Sequence, residues 1–211
     1  MSEPQIILHG TEYSGHAHRV VLFLRMLEIP FRFVAAPAEV RRSAEFLKLN
    51  PLGQIPVLQD GPVLIADSNA ILVYLAKRYA PESPWLPGDP IAAARVQRWL
   101  SIAAGELAHG PALARRIVQW GDPGDRQRAL ETAGRLFRFM DAHLAHAEYL
   151  AATHPTLADI ACYSYTAHAP EGGVSLQPYP AIRGWLSRIE ALERFQPMPS
   201  SPLPPEAQQS R

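Results

Sequence analysis

Cysteine is nearly absent: the 211-residue sequence has Cys 1. A single thiol excludes an intramolecular disulfide and a cysteine-built metal cage, and it fits a reducing compartment. Excess charge of one sign is missing too. Lys+Arg 20 balances Asp+Glu 20, for a net charge of +0. That balance excludes the strongly basic surface on which phosphate binding depends. No apolar run approaches the roughly 18 residues of a membrane span. The opening Met1-Ser2-Glu3-Pro4-Gln5 has no basic stretch followed by an apolar one, so no secretory leader is expected. These absences predict a cytoplasmic protein that binds neither nucleic acid nor membrane. What is plentiful is apolar: hydrophobic residues make up 47% and charged residues 19%, an ordinary globular balance. A chain of this length buries about 70% of its unfolded surface and needs no staple to fold.

Proline, with Pro 21, punctuates the chain. Gln5-Ile6-Ile7-Leu8-His9 reads as a buried strand, and Ala17, Val20, Val21, Leu24 and Leu27 recur at helical spacing over residues 16–28. Pro30 precedes a second strand, Phe31 to Ala35, and residues 43–49 read as a short helix stopped by Asn50-Pro51. Two apolar runs flank Asp60-Gly61 as a hairpin, and Asp67-Ser68 opens a helix. A crossover helix between the first two strands predicts a parallel pair. Residues 81–89, with Pro81, Pro84, Pro87 and Gly88, read as a stiff linker. Beyond it the pattern is helical over residues 91–119, with a kink at Gly110-Pro111, and again over 125–146. Thr156-Leu157-Ala158-Asp159 starts another helix, with Asp where a capping box usually has Glu or Gln. Pro180 opens the last one. The expected organisation is an α/β domain (1–80), a linker (81–89), an all-α domain (90–196) and a flexible tail (197–211).

Three motifs in this order resemble the cytosolic glutathione S-transferase family: Asn50-Pro51-Leu52-Gly53-Gln54-Ile55-Pro56-Val57-Leu58, Asp67-Ser68-Asn69-Ala70-Ile71, and Thr156-Leu157-Ala158-Asp159-Ile160. The resemblance spans residues 6–195 and is nearest the bacterial, theta- or beta-like classes with a serine or cysteine in the first loop. It implies a thioredoxin-like N-terminal domain, an all-α C-terminal domain, a homodimer, and glutathione as co-substrate with a small hydrophobic electrophile.

That chemistry needs the glutathione thiol as a thiolate. A free thiol titrates at about 8.5, and lowering it by about two units takes roughly 2.7 kcal/mol. One charge-assisted hydrogen bond supplies about 1.5–3 kcal/mol, and a helix N-terminus adds about 0.3–1 kcal/mol. A single hydroxyl at a helix start therefore suffices, without metal. Ser14 sits there, and by resemblance it is the catalytic residue; on the residues alone the N-cap is the favoured reading. Tyr13, with its phenol, is the neighbouring competitor. His16, His18 and Arg19 add positive character, although His16 and Ala17 stand where related sequences often carry Asn or a second Ser or Cys. Ile55-Pro56 matches the family's cis-proline, and Ile55 would offer its backbone to the cysteinyl part of glutathione as an added strand does. At the next helix start, Ser68 would take the γ-glutamyl carboxylate and Asp67 its ammonium. Gln54 and His16 complete the expected glutathione contacts. The electrophile pocket is expected between the domains, with Tyr13, His109, Leu113 and Trp120. Ser101 falls at a polar position that beta-like relatives use, whereas the matching histidine position is Ala108, beside His109.

Other groupings carry less. His143 and His146 share a helix face without carboxylate or cysteine support, so no metal site is expected. Arg115-Arg116 near Trp120 reads as a surface or hydrophobic-site feature, and Cys162 as a small core residue. Two further functions compete with transfer: glutathione-dependent disulfide or peroxide reduction, which the cysteine-free first loop disfavours, and a non-enzymatic scaffold for ligands or partners, which intact Ser14 and Ser68 disfavour.

Overall fold

A computed structural model describes residues 5–202. It divides into two units. The first runs to Ser83 and includes Glu193–Met198; the second is Pro84–Leu192 and takes up the chain again from Pro199.

The first unit is built on four strands, β1 (Ile6–Gly10), β2 (Phe31–Ala35), β3 (Val57–Asp60) and β4 (Val63–Ala66), in the order β2-β1-β3-β4. The β1–β2 pair is parallel, as a crossover through a helix requires. That helix is α1 (Gly15–Met26); α2 (Ala38–Arg41), which the sequence reading did not anticipate, and α3 (Ala44–Leu49) follow β2. The β3–β4 hairpin pairs Asp60 with Val63, so the turn is Gly61-Pro62 and Asp60 ends the strand. There Asp60 is buried and accepts hydrogen bonds from the hydroxyls of Tyr74 and Tyr79 on α4 (Ser68–Tyr79), which ties that helix to the sheet. Leu8, Val20, Leu24, Leu58, Ile71 and Leu72 are wholly buried and form the core on the helical face. Gly10 is required where β1 leaves the sheet, because a Cβ there would lie 2.8 Å from Ala17 Cβ.

The described elements of the second unit are all helices. The expected helix over 91–119 is three pieces: α5 (Pro90–Ala104), α6 (Glu106–His109) and α7 (Pro111–Trp120). The break at Gly110 was expected, and the one at Gly105 was not. The longer helices α8 (Arg126–Leu144), α9 (Leu157–Ala167) and α10 (Pro180–Glu190) follow, with a 3-10 turn at Ala169–Gly172. Asp159 is fully buried at the start of α9. Its carboxylate accepts from the N–H groups of Leu150 (2.9 Å) and Thr156 (2.8 Å), the Thr156 hydroxyl (3.1 Å) and Trp185 Nε1 (2.9 Å). Burial pushes this carboxyl up in pKa, against the pull of those donors. Its role is to hold the helical core together. Cys162 is fully buried on the same helix.

The end of the chain departs from the expected boundaries. Residues 193–196 cluster with the first unit rather than the helical one. Within the expected flexible tail, Met198 is buried and Ser201 and Pro202 are hydrogen-bonded; residues 203–211 lie outside the described residues.

Candidate active site

The register of the sheet draws together segments far apart in the chain. His9 pairs with Val57, and Val57 pairs with Ala66. The loop after β1, the Ile55-Pro56 segment before β3 and the Asp67-Ser68 pair after β4 therefore all leave one end of the sheet. Both α1 and α4 begin at that end, so two helix N-termini, each with the positive end of its dipole, serve one edge.

Ser14 is the N-cap of α1. The Ala17 N–H donates to its Oγ at 3.2 Å. This bond occupies an acceptor position of the hydroxyl and leaves its proton to donate elsewhere. Capping and thiolate binding are thus compatible uses of one side chain. Tyr13, immediately before it, is 43% exposed.

The Ile55–Pro56 bond is cis, and Pro56 is buried. The segment before it is framed by Asn50, which the sequence marks as a helix stop and the first residue of the resembling motif, without showing its hydrogen-bonding role. The Asn50 side chain donates to the Gln54 carbonyl at 2.9 Å and accepts from the Leu52 N–H at 3.1 Å. Gln54 itself is exposed.

Asp67 caps α4 from a left-handed backbone, φ 74°. Its Oδ1 accepts from the N–H groups of Asn69 (2.8 Å) and Ala70 (3.1 Å). Ser68 is buried, and its Oγ lies 3.4 Å from His16 Nδ1. Beneath it, Arg19 donates from Nη1 to Ser68 Oγ at 3.0 Å and to Asn69 Oδ1 at 3.3 Å. Ser14, His16, Arg19, Asp67 and Ser68 thus stand at adjoining helix starts. His18 is held from another segment: its Nε2 donates to the Gln196 carbonyl at 2.8 Å.

Comparison with known proteins decides the family. The glutathione S-transferase N-terminal domain model matches residues 8–83 and the C-terminal domain model residues 113–193. Glutathione S-transferase 3 of Zea mays is 30% identical, over 94% of this chain and 95% of its own length. A glutathione S-transferase structure from Pseudomonas fluorescens is 31% identical with a TM-score of 0.85, covering 92% of this chain and 98% of that one. A theta-class glutathione S-transferase from Xanthomonas axonopodis, solved with glutathione bound, is 25% identical with a TM-score of 0.82, covering 92% and 96%. The chain belongs to the glutathione S-transferase family.

In this glutathione S-transferase the remaining expected residues lie in the second unit. His109 is exposed at the end of α6, and its Nδ1 contacts the Gly105 carbonyl at 2.9 Å. Leu113 is half-buried on α7, and Trp120, 49% exposed, ends that helix. Ser101 donates back to the Gln97 carbonyl of its own helix at 3.1 Å. Of the two readings of Arg115-Arg116, surface and hydrophobic-site, Arg115 departs from the first. Its side chain is buried, its Nε bonds Glu171 Oε2 at 2.5 Å, and its guanidinium lies 4.9 Å from the Trp120 ring centroid. Arg116 is the exposed one. His143 stacks on Phe139 and meets the Leu150 carbonyl at 2.9 Å. No group of three or more His, Cys, Asp or Glu among the described residues could hold a metal ion, and no helix among them is long and apolar enough to cross a membrane.

Proposed function

We propose that this chain binds glutathione along the edge where α1 and α4 begin, that the Ser14 hydroxyl donates to the thiolate, and that the thiolate attacks a hydrophobic electrophile. The observation behind the reading is the register His9–Val57–Ala66, which brings two helix N-termini, one of them capped by the Ser14 hydroxyl, to one sheet end. In the reaction the thiol proton leaves to solvent, the sulfur forms a bond to the electrophilic carbon, and the leaving group takes its electron pair.

The rest of glutathione follows from the same edge. Ile55 pairs its backbone N–H and C=O with the cysteinyl residue, extending the sheet by a strand-like segment. The Ser68 hydroxyl and N–H receive the γ-glutamyl carboxylate at the α4 N-terminus, and the exposed Asp67 receives the ammonium. Gln54 and His16 border the ligand. Tyr13, and in the second unit His109, Leu113 and Trp120, are the candidates for contact with the electrophile. A homodimer with an isologous interface, a cytoplasmic location and a role in detoxification complete the proposal.

Calorimetric titration of glutathione tests it first. The expected outcome is saturable binding between micromolar and low millimolar, about −8 to −4 kcal/mol. No heat at ten-millimolar ligand would sink the reading. Where binding is seen, Ser14→Ala is expected to return the bound thiol toward about 8.5, followed by thiolate ultraviolet absorbance against pH. Reduction through a protein thiol has little support: Cys162 is fully buried in the second unit and the first loop has no cysteine.

A further inference from the structure

We propose that Arg19 is a positioning residue for glutathione: it fixes the Ser68 hydroxyl so that its proton is presented to the γ-glutamyl carboxylate. The inference rests on the reading above that Ser68 receives that carboxylate.

Arg19 is wholly buried on α1. A guanidinium has five donors and no acceptor, so the direction of both contacts is settled. Ser68 Oγ, at 3.0 Å, and Asn69 Oδ1, at 3.3 Å, accept. The Ser68 hydroxyl cannot return its proton to Arg19, and the proton must point away from that guanidinium. Apart from the ligand, the polar atom near it is His16 Nδ1, at a long 3.4 Å, which is a weak competitor. The bond to Asn69 fixes which way that amide faces. The Arg19–Ser68 bond is charge-assisted, and it polarises the hydroxyl behind which it sits, strengthening the next bond in the chain. A buried positive charge also stands one hydrogen bond behind the first turn of α4, where the carboxylate docks.

A residue that merely pinned α1 to α4 would cost stability when replaced and would treat all ligands alike. A positioning residue acts selectively through Ser68. The test is a double-mutant cycle of Arg19→Gln and Ser68→Ala. Dissociation constants are measured for glutathione and for 4-aminobutyryl-cysteinylglycine, which lacks only the γ-glutamyl α-carboxylate. Glutamine can accept as well as donate and so frees Ser68 to turn its proton inward.

Arg19→Gln is expected to weaken glutathione about tenfold, to raise KM for glutathione with kcat little changed, and to leave the analogue within about twofold. On the Ser68→Ala background the tenfold loss should vanish. Arg19→Lys, which keeps the charge but not the planar donor fork, should recover part of it, leaving a loss of about threefold that also depends on Ser68. Where Arg19→Gln fails to fold, the cycle is run with Arg19→Lys. Equal loss for both ligands, equal loss with and without the Ser68 hydroxyl, or no loss in either background overturns the positioning role alone. A Ser68→Ala variant that binds glutathione as tightly as the wild type overturns the assignment of Ser68, and the role of Arg19 with it.

Discussion

A serine that caps a helix has spent an acceptor position and still has a proton to give. Ser14 is in that state: the Ala17 N–H occupies an acceptor site on Oγ, and the hydroxyl hydrogen can serve a thiolate. The two roles separate by substitution. Aspartate is as good a cap as serine, but its carboxylate has no proton and repels a thiolate. Ser14→Asp is therefore expected to hold stability within about 0.5 kcal/mol while kcat/KM falls about 10²–10³-fold, the size of losing one preorganised donor. Ser14→Ala loses both, including about 1 kcal/mol of stability. Steady-state kinetics beside thermal melts read the difference. Wild-type activity in Ser14→Asp, or a comparable loss in Tyr13→Phe, would move the thiolate donor from Ser14 to the neighbouring phenol.

Among the elements, the 3-10 turn at Ala169–Gly172 carries a buried polar cluster. Glu171 is buried and binds Arg115 Nε at 2.5 Å, His168 Nδ1 at 2.6 Å and the Ser201 N–H at 3.0 Å. Gly172 lets the turn lie against α7, since a Cβ there would be 2.5 Å from Arg115 N. Burial pushes the Glu171 carboxyl up, but its bonds to His168 and Arg115 outweigh that and hold it below the ordinary 4.5. The folded state thus binds fewer protons than the unfolded chain in this window. Its contribution is complete above about pH 4.5 and is lost as pH falls through the lower folded value. Glu171→Gln removes the carboxylate charge that faces the buried Arg115 and is expected to cost about 3–5 kcal/mol at neutral pH. It should also flatten the acid limb of stability against pH. An unchanged acid limb in denaturant titrations at several pH values would refute the assignment. This knot shows what the sequence conceals. Thr156 and Asp159, or Asp67 and the helix behind it, are neighbours in the chain, so caps were legible from spacing. Arg115 and Glu171 are 56 residues apart, and nothing in a charged side chain's local pattern says that it will be buried. Arg19 was read as general positive character for the same reason. The split at Gly105 and the four-residue α2 fell below what periodicity can resolve.

On the scale of the whole chain, the segment after α10 belongs to both units, and each half of it can be tested separately. Glu193–Met198 clusters with the first unit: the Gln196 carbonyl accepts from His18, Arg194 meets Glu28 at 3.0 Å, and Met198 is buried. Ser201 and Pro202 are held in the second unit by Arg115, Glu171 and Gln119. The sequence there is rich in Pro and Ser and offers no periodicity, which is why it reads as a tail. Its order comes from partners on helices formed much earlier in the chain. Burying a methionine is worth about 1.5–3 kcal/mol. At about 2–4 °C per kcal/mol for a chain of this size, Met198→Ala should lower the melting midpoint by roughly 3–12 °C. The faster hydrogen exchange should fall on α1 in the first unit. Ser201→Pro removes both the N–H given to Glu171 and the hydroxyl oxygen that accepts from Arg115 Nη2, and its added exchange should fall on α7 and the 3-10 turn. Exchange that spreads equally over both units in either variant would mean that the segment acts as one strap. Exchange that changes in neither would mean that the segment rests on the protein without supporting it.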